Sequence, residues 1–231
     1  LGMRVFEGGQ ATIKKVLITG NEKTKDYVVR RELRTIPGQK FSRELLIRTQ
    51  RELSQLGYFD PQKVNPIPIP NMADETVDIE WELVEQPSDQ IELSGGWGGY
   101  YGFVGTLGVS FNNFSIKEAL KFNKFPPMGD GQRLSVRAQA NGKRYQSYTV
   151  SFQEPWLGGK RPNSFGISYN HSIQRYLNFQ DNTTIGSLSV NSFSVSLGRR
   201  VNWPDDFFVI SNAVSFSKYS LYNYQGFSLG F

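Results

Sequence analysis

The sequence contains no cysteine and only one histidine, His171. Without cysteine, these residues can form neither a disulfide framework nor a thiolate metal site. A single histidine nearly rules out a histidine-based metal site and limits acid–base chemistry. We therefore expect no metal site.

Long apolar runs are also missing. No segment reaches the roughly 18 consecutive apolar residues that a transmembrane helix needs. The first residues, LGMRVFEGGQ, have neither the basic nor the apolar region of a signal peptide. We expect residues 1–10 to be the tail of a preceding domain, or a linker, cut from a longer protein.

The net charge of +5 is unevenly distributed. Residues 1–88 have 13 Lys and Arg against 13 Asp and Glu, which cancel. Residues 89–231 have the other 13 basic residues against 8 acidic ones, and so hold the whole excess. Such a modest excess in a half rich in Ser, Asn and Gly is a poor indication of nucleic-acid binding, and we expect no nucleic-acid partner.

The first half of the chain mixes strand and helix patterns. Apolar and polar residues are interspersed from Ala11 to Asn21, and the segment stops at Gly-Asn, which indicates a strand followed by a turn. Thr24 is placed to cap a helix through KDYVVRRELR, which TIPGQ ends.

A second helix is predicted over RELLIRTQRELSQLGY. Ser42 is its predicted N-cap, and Gly57 lies where a C′ glycine belongs. One face of this helix is mostly apolar and consists of Leu45, Leu46, Thr49, Leu53 and Leu56.

Two strands are predicted after the helices. Val64 to Pro70 is interpreted as an edge strand, because its three prolines cannot donate to a ladder. Thr76 to Glu85 alternates strictly, and its apolar face consists of Val77, Ile79, Trp81 and Leu83. The predicted order is β-α-α-β-β, a three-stranded sheet covered by two helices.

The second half contains seven segments of roughly ten residues in which apolar and polar residues alternate, the period typical of strands. The sixth segment changes phase near Asn191, which indicates either a bulge or a long strand leaving the membrane. The apolar positions are Ile91, Leu93 and Trp97; Phe103, Leu107, Val109 and Phe111; Leu134, Val136, Ala138 and Ala140; Tyr148, Val150 and Phe152; Phe165, Ile167 and Tyr169; Leu188, Val190, Phe193, Val195 and Leu197; Phe208, Ile210, Val214 and Phe216.

This alternation fits both a soluble β-sandwich and a membrane β-barrel. The small polar faces favour a barrel with a polar lumen, and we expect Arg133, Arg137 and Arg175 to line it. His171 falls in the apolar-face register near a loop, where we expect a membrane–water interface. Aromatic residues near the turns also favour the barrel: Phe111, Phe114, Trp156, Trp203 and Tyr219. Bacterial barrels have an even number of strands, so seven make an incomplete barrel.

The first of these segments, IELSGGWGGYYGFVG (Ile91 to Gly105), is unusual for a strand. Six of the twelve residues from Ser94 to Gly105 are glycine, and glycine inside a strand weakens it. Two interpretations remain open. The glycines accommodate close packing or a kink, or they loosen the strand for a functional reason.

The segment ITGNEKTKDYVVRRELRTIPGQKFSRELLIRTQRELSQLGYFDPQKVNP closely resembles the membrane-proximal POTRA domain of the BamA family of outer-membrane protein assembly factors. The matching pieces are GN, RREL, PG and LGYF. LVEQPSDQIELSGGWGGYYGFVGTLGVSFNNF is similar to the junction and first hairpin of the family's barrel. SVRAQANGKRYQSYTVSFQEPWLGGKRPNSFGISYNHS is similar to the next three strands. The connection SIKEALKFNKFPPMGDGQ is longer than expected, which indicates a lineage-specific elaboration.

The resemblance implies an α+β POTRA domain over residues 11–87, preceded by the tail at 1–10. Antiparallel transmembrane β-barrel strands follow over residues 88–231. It also implies a protein of the bacterial outer membrane that inserts and folds β-barrel proteins, with its POTRA domain in the periplasm. The resemblance implies a barrel whose first and last of sixteen strands pair poorly and form a lateral gate. Because the working part would then be a strand edge, we expect no catalytic residue and no cofactor, and we do not expect an enzyme. The implied client-pairing residues are Gln90, Ile91, Glu92, Leu93, Ser94, Gly95, Gly96, Trp97, Gly98 and Gly99.

The implied partners are outer-membrane lipids, nascent β-barrel clients, accessory lipoproteins such as BamD, and periplasmic chaperones. Arg30, Arg31 and Arg34 are candidates for lipoprotein docking, and a solvated helix face is the alternative reading of these residues. Two relatives of similar architecture remain alternatives for the whole chain: two-partner secretion pores and translocation-and-assembly factors.

Overall fold

The computed structural model describes residues 9–99, 102–121, 125–178, 183–201, 203 and 205–223. Most of the expected tail, residues 1–8, lies outside this description. The chain divides into two compact units. The first comprises the chain up to Ser88 together with Met128–Asp130, and the second comprises Asp89–Pro127 and the chain from Gly131 onward. Among the described residues, no helix is both long enough and apolar enough to cross a membrane.

The first unit has the predicted β-α-α-β-β order. Its sheet has the strand order β1-β3-β2, with β1 parallel and β2 antiparallel to the central strand β3. The proline-containing strand is therefore an edge strand, as predicted. The elements are β1 (Thr12–Thr19), α1 (Asp26–Arg30), α2 (Arg43–Gln55), a 3-10 turn (Pro61–Lys63), β2 (Asn65–Asn71) and β3 (Thr76–Glu82).

The core of this unit lies between the sheet and the helices. The predicted apolar face of β3 is buried, and the Trp81 and Ile79 side chains are completely enclosed. From α2, Leu46, Thr49 and Leu53 are buried against them. The alternation in TVDIEWELVE and the helical period in RELLIRTQREL thus meet in one core.

The two helices start in different ways. The Ser42 hydroxyl accepts a hydrogen bond from the Leu45 amide (3.4 Å) and caps α2 as predicted, and Gly57 has the positive φ of +79° expected at C′. The prediction that Thr24 caps α1 was wrong. Thr24 is buried, its own amide donates to the Glu85 carboxylate, and α1 begins after Lys25 without a side-chain cap.

The first helix is also shorter than KDYVVRRELR predicted. It ends at Arg30, and the Arg34 amide donates to the Thr49 hydroxyl of α2 (3.0 Å) instead of continuing the helical ladder. A tertiary contact therefore replaces the local hydrogen bond that would have extended α1.

A short segment from the connection SIKEALKFNKFPPMGDGQ belongs to the first unit. The Gly129 carbonyl accepts from the Lys25 amide (3.0 Å), and the Lys25 Nζ atom lies 2.6 Å from Asp130 Oδ1. Gly129 has φ +118°, and a Cβ there would come within 2.6 Å of the Lys23 carbonyl oxygen. Only glycine fits this close approach.

The second unit is a single antiparallel sheet of seven strands in chain order, which confirms the predicted number. We call the end where β4 begins, next to Ser88 in the chain, the near end, and the opposite end the far end. The strands are β4 (Gln90–Trp97), β5 (Phe103–Phe114), β6 (Gln132–Asn141), β7 (Tyr145–Glu154), β8 (Asn163–Leu177), β9 (Thr184–Arg200) and β10 (Val209–Tyr222), with a short helix α3 (Ile116–Lys121) between β5 and β6.

The sheet has one apolar and one polar face. A representative row of paired residues crosses the apolar face from strand to strand: Ile91, Val109, Val136, Val150, Tyr169, Phe193 and Phe216. Many large side chains of this face are exposed, Leu93 by 79% and Leu107 by 55%. The polar face is linked by hydroxyl pairs such as Ser110 with Ser135 (3.0 Å).

The predicted phase change near Asn191 is not a bulge. β9 is continuous over 17 residues, and its register with β8 and β10 is unbroken at this point. Val190 shares the polar-face register with Ser192, whereas Asn191 lies on the apolar face. Of the two interpretations, the long strand is therefore the one that the structure supports.

One lumen prediction was wrong. Arg133 and Arg137 share the register of Ser135 on the polar face, but Arg175 shares the register of Tyr169 on the apolar face. Its Nη1 atom donates to the Lys143 carbonyl and to Gln146 Oε1, both at 3.1 Å. An arginine at this position lies at the far end of the apolar face and does not line a lumen.

Candidate functional site at the edge of the sheet

The first strand of the second unit is an edge strand. β4 pairs with β5 from Gln90 opposite Ser110 to Trp97 opposite Phe103, and no described residue pairs with its other side. All eight of its residues are exposed. One row of backbone N–H and C=O groups is therefore available to another strand.

The opposite edge differs in composition. β10 also pairs on one side only among the described residues, but it has 14 residues and no glycine. β4 has eight residues, of which Gly95 and Gly96 are consecutive. Since glycine in a strand interior costs about 0.5–1 kcal/mol relative to alanine, β4 is intrinsically the weaker of the two edges.

Few side-chain contacts hold β4 to the sheet. Glu92 Oε1 accepts a hydrogen bond from Arg137 Nη2 (2.9 Å), and both side chains are about half exposed. Ion pairs this exposed contribute about 0–1 kcal/mol. Just before the strand, Asp89 Oδ1 accepts a long hydrogen bond from the Asn112 amide (3.4 Å).

The glycines of this region have different roles. The Phe103 ring lies over Gly95 and Gly105, and a Cβ would come within 3.2 Å of it at Gly95 and 2.8 Å at Gly105. The close-packing interpretation therefore holds for these two. Gly96 has nothing within 4 Å of such a Cβ, so packing does not explain its lack of a side chain.

The strand is shorter than the predicted client-pairing segment. It ends at Trp97, and Gly98 and Gly99 belong to the connection to β5, where the Gly98 amide donates to the Gly102 carbonyl (2.8 Å). Gly99 has φ +59° and Gly102 φ +77°. Tyr100 and Tyr101, which the alternation would include, lie outside the described residues.

A recess of about 330 Å³ lies on the apolar face next to β4. Its walls are largely apolar, and its floor is formed by small residues that leave room between larger neighbours. The main lining residues are Leu93, Phe103, Gly105, Leu107, Ala138 and Tyr148. Sequence reasoning missed this recess, although opposed Gly and Ala positions on adjacent strands are a detectable signal.

The three arginines predicted for partner docking have different surroundings. Arg34 forms a two-pronged ion pair with Glu52, through Nε (3.0 Å) and Nη2 (3.1 Å). The Arg31 side chain is only 7% exposed and its guanidinium lies 6.0 Å from the Tyr27 ring centroid. Arg30 pairs with Asp26 on the same helix and keeps about half of its side chain exposed. Of the three, Arg30 has the most exposed side chain.

The described part of the chain contains no cluster of three or more His, Cys, Asp or Glu side chains that could hold a metal ion. The site is thus a backbone edge, supported by one ion pair and one aromatic ring. Its chemistry is hydrogen bonding between strands.

Comparison with protein families matches residues 11–86 to the POTRA family, described as surface antigen variable number repeat. The outer membrane protein assembly factor BamA of Neisseria meningitidis serogroup B is 30% identical over 155 residues, which are 67% of this chain and 18% of that protein. BamA of Nitratidesulfovibrio vulgaris is 29% identical over 194 residues, 83% of this chain and 22% of that protein. The chain thus spans about a fifth of the length of these relatives.

Solved structures share the fold. BamA from Haemophilus ducreyi lacking POTRA domains 1–3 has a TM-score of 0.66 at 20% identity, covering 94% of this chain and 37% of that one. CdiB from Acinetobacter baumannii has a TM-score of 0.56 at 16% identity, covering 92% and 39%. With the β-α-α-β-β unit and the seven-stranded sheet, these matches lead to one conclusion. The chain belongs to the BamA family of outer-membrane protein assembly factors and corresponds to one POTRA domain followed by seven strands of the β-barrel.

Proposed function

We propose that the protein containing this chain inserts and folds β-barrel proteins in the bacterial outer membrane, with β4 as one side of a lateral gate and as a template for client strands. The observation that supports this is the edge of β4, whose eight exposed residues pair on one side only among the described residues. An incoming strand would add to this edge by β-augmentation.

The membrane makes such an edge strongly attractive. Hydrocarbon offers no hydrogen-bonding partner, and each unpaired backbone group there costs several kcal/mol. An edge in that environment binds a nascent strand as long as no better partner is present. The client strand must later leave, so its pairing with β4 has to be weak enough for another strand to replace it.

The composition of β4 supports reversible pairing. Gly96 has neither a packing neighbour nor a positive φ that would demand glycine, and yet it lacks the side chain that would stiffen the strand. Among the described residues, the side-chain contacts of β4 include the exposed Glu92–Arg137 pair and the Phe103 ring over Gly95. We infer that β4 separates from a paired strand more readily than the strands inside the sheet separate from one another.

The POTRA domain is assigned to the periplasm in this proposal. Accessory lipoproteins such as BamD would bind there, and Arg30 is the exposed cation on α1 that is suited to an acidic partner surface. Nascent β-barrel proteins and the chaperones that deliver them are the other proposed partners. Outer-membrane lipids would contact the apolar face of the sheet.

Site-specific disulfide crosslinking to a stalled client tests the proposal. These 231 residues contain no cysteine, so single cysteines can be placed at will. Ile91→Cys places a cysteine on β4. Val150→Cys places one in the same row and on the same face of the sheet, but on β7, inside the sheet. Clients bearing one cysteine should crosslink to the first and not to the second.

Equal crosslinking at both positions would contradict templating by β4, because Val150 has no free edge beside it. The family alternatives, a two-partner secretion pore or a translocation-and-assembly factor, make a different prediction. Depleting such a protein leaves unrelated outer-membrane β-barrels at normal levels, whereas depletion of an assembly factor lowers them together.

A further inference from the structure

A polar cluster interrupts the apolar face of the sheet at one level. The Tyr169 hydroxyl donates to Asn191 Oδ1 (2.8 Å), and His171 Nδ1 lies 2.8 Å from the same oxygen. Tyr148 stacks on the His171 ring with a centroid distance of 6.4 Å and an interplanar angle of 16°. Lys218 lies opposite Asn191 in the β9–β10 register. We call these five residues the rim cluster.

The rim cluster marks the far boundary of the apolar band. One row nearer the near end, Phe193, Phe216 and the ring of Tyr169 continue the band, and the Tyr169 hydroxyl reaches over to Asn191 in the next row. The row that contains His171 and Asn191 changes character across the sheet. On β4 and β5 it has the apolar residues Leu93 and Leu107, and from β8 onward its residues are polar. When strands tilt by about 35–45° in a membrane, a row of paired residues runs diagonally across the bilayer. The point along the row where apolar residues give way to polar ones therefore marks the membrane–water interface.

The charge at this boundary has one sign. The described residues in the far halves of β7 to β10 and in the turn before β7 include four basic side chains and no Asp or Glu, the basic ones being Lys143, Arg144, Arg175 and Lys218. Lys218 forms no hydrogen bond or ion pair with any described residue. Arg175 uses Nη1 for Lys143 and Gln146, and its Nε and Nη2 have no described partner.

The apolar recess borders the rim cluster. Tyr148 lines the recess and also stacks on His171. On the other side of Tyr148, Leu107 and Ala138 give the recess a hydrocarbon surface. A molecule with an anionic head and an aliphatic chain would meet cations and hydrogen-bond donors at one end of this surface and a groove at the other.

We propose that the rim cluster and the adjacent recess form a binding site for a phosphate-bearing lipid. Lys218 would bind the phosphate above a polar floor that includes Asn191 and Tyr169, and Arg175, farther along β8, would add positive charge. One acyl chain would lie in the recess beside Leu93 of β4. The site requires only that the sheet lies in a membrane, and it does not depend on client templating by β4. Its occupant would cover the apolar surface next to the candidate gate strand.

The test uses the full-length protein that contains this chain, purified in detergent and supplied with an equimolar mixture of phosphatidylglycerol and phosphatidylcholine. Native mass spectrometry measures how much of each lipid is retained. The wild type should prefer phosphatidylglycerol. Since a basic residue near a membrane surface contributes about 1 kcal/mol, or about fivefold, the Lys218→Gln/Arg175→Gln variant should lose most of this preference.

Two further variants separate the parts of the site. Lys160→Gln removes an exposed cation of the turn between β7 and β8, at the near end of the sheet, and should leave the preference unchanged. Ala138→Phe fills the recess and should lower retention of both lipids. Lys218, Arg175 and Lys160 lie outside β4 and outside the lining of the recess, so client crosslinking at Ile91 in their variants reports independently on the proposed function.

Three results would overturn the lipid site. The first is equal retention of the two lipids by the wild type. The second is the same loss in Lys160→Gln as in the rim variant, which would indicate general attraction by positive charge. The third is unchanged retention in Ala138→Phe. Inorganic phosphate should not displace the bound lipid, and efficient displacement would show that the cations bind free phosphate instead.

Discussion

The ring of Phe103 lies so close to Gly105 that a Cβ on Gly105 would approach it to 2.8 Å, and the Ser94 carbonyl oxygen on β4 to 2.7 Å. One glycine thus lets an aromatic ring fold back over the β4–β5 hairpin. Cross-strand packing of an aromatic ring over glycine offsets part of the weakness that glycine introduces. The edge strand is consequently weak and also ordered.

Gly105→Ala should destabilise the second unit. The added methyl group displaces the Phe103 ring or the β4 backbone, and overpacking of this kind costs about 1–3 kcal/mol. Gly96→Ala is the matched control, because its Cβ meets nothing within 4 Å, and it should be neutral or stabilising by about 0.5–1 kcal/mol. Urea unfolding followed by gel mobility measures both, and equal effects would contradict the packing role of Gly105.

Gly96→Val should slow client assembly while leaving the fold intact. A β-branched residue favours the strand conformation, so β4 would separate less readily. The rate at which an unfolded β-barrel client acquires its folded mobility in proteoliposomes reports the effect. Ala140→Val, which makes a similar change inside the sheet on β6, should leave this rate unaltered. A normal rate for Gly96→Val would argue against the loosening role.

Trp81→Ala should unfold the POTRA domain selectively. The Trp81 side chain, near the end of β3, is completely buried in the core, and truncating a buried aromatic costs about 3–5 kcal/mol. Limited proteolysis should then cleave between residues 11 and 87 and spare the seven-stranded sheet. Glu82→Ala, at the exposed neighbouring position, should remain resistant. Resistance of the Trp81 variant would contradict the assignment of the core.

Replacing the two partly exposed arginines of the docking hypothesis, Arg30 and Arg34, should have different effects. Arg30→Ala should reduce co-purification of accessory lipoproteins without changing the melting temperature, because its pair with Asp26 is half exposed and contributes about 0–1 kcal/mol at most. Arg34→Ala should lower the melting temperature, because it leaves Glu52 without its two-pronged partner. Normal lipoprotein binding by the Arg30 variant would remove this residue from the docking surface.

The strand patterns were predictable because burial imposes a period of two that local residues reveal. β3 shows this most clearly, with Val77, Ile79 and Trp81 all buried. The seven strands of the second unit were predictable because apolar and polar residues alternate along each of them. Ser42 was predictable as a cap from its position just before the helical pattern of α2. The role of Thr24 was not predictable, because its amide donates to the carboxylate of Glu85, which follows β3 far along the chain, and no local pattern indicates that contact.

The site was only partly predictable. The position of β4 after the POTRA domain and its glycines were evident from the sequence. The roles of individual glycines were not, because they depend on where the Phe103 ring lies and on the turn that begins at Gly98. The face of Arg175 was misassigned because one basic residue was taken as lumenal in spite of its strand's register. The same register places His171 beside Asn191.

The central claim is that β4 pairs with clients through its backbone, and a register scan tests it most directly. Single cysteines at Ile91, Leu93 and Gly95 are each combined with cysteines along one strand of a stalled client, and disulfide formation is quantified. Backbone pairing predicts that moving two residues along β4 moves the preferred client position by two residues as well. Crosslinks spread over many client positions without such a register, or equally strong at Val150, would contradict it.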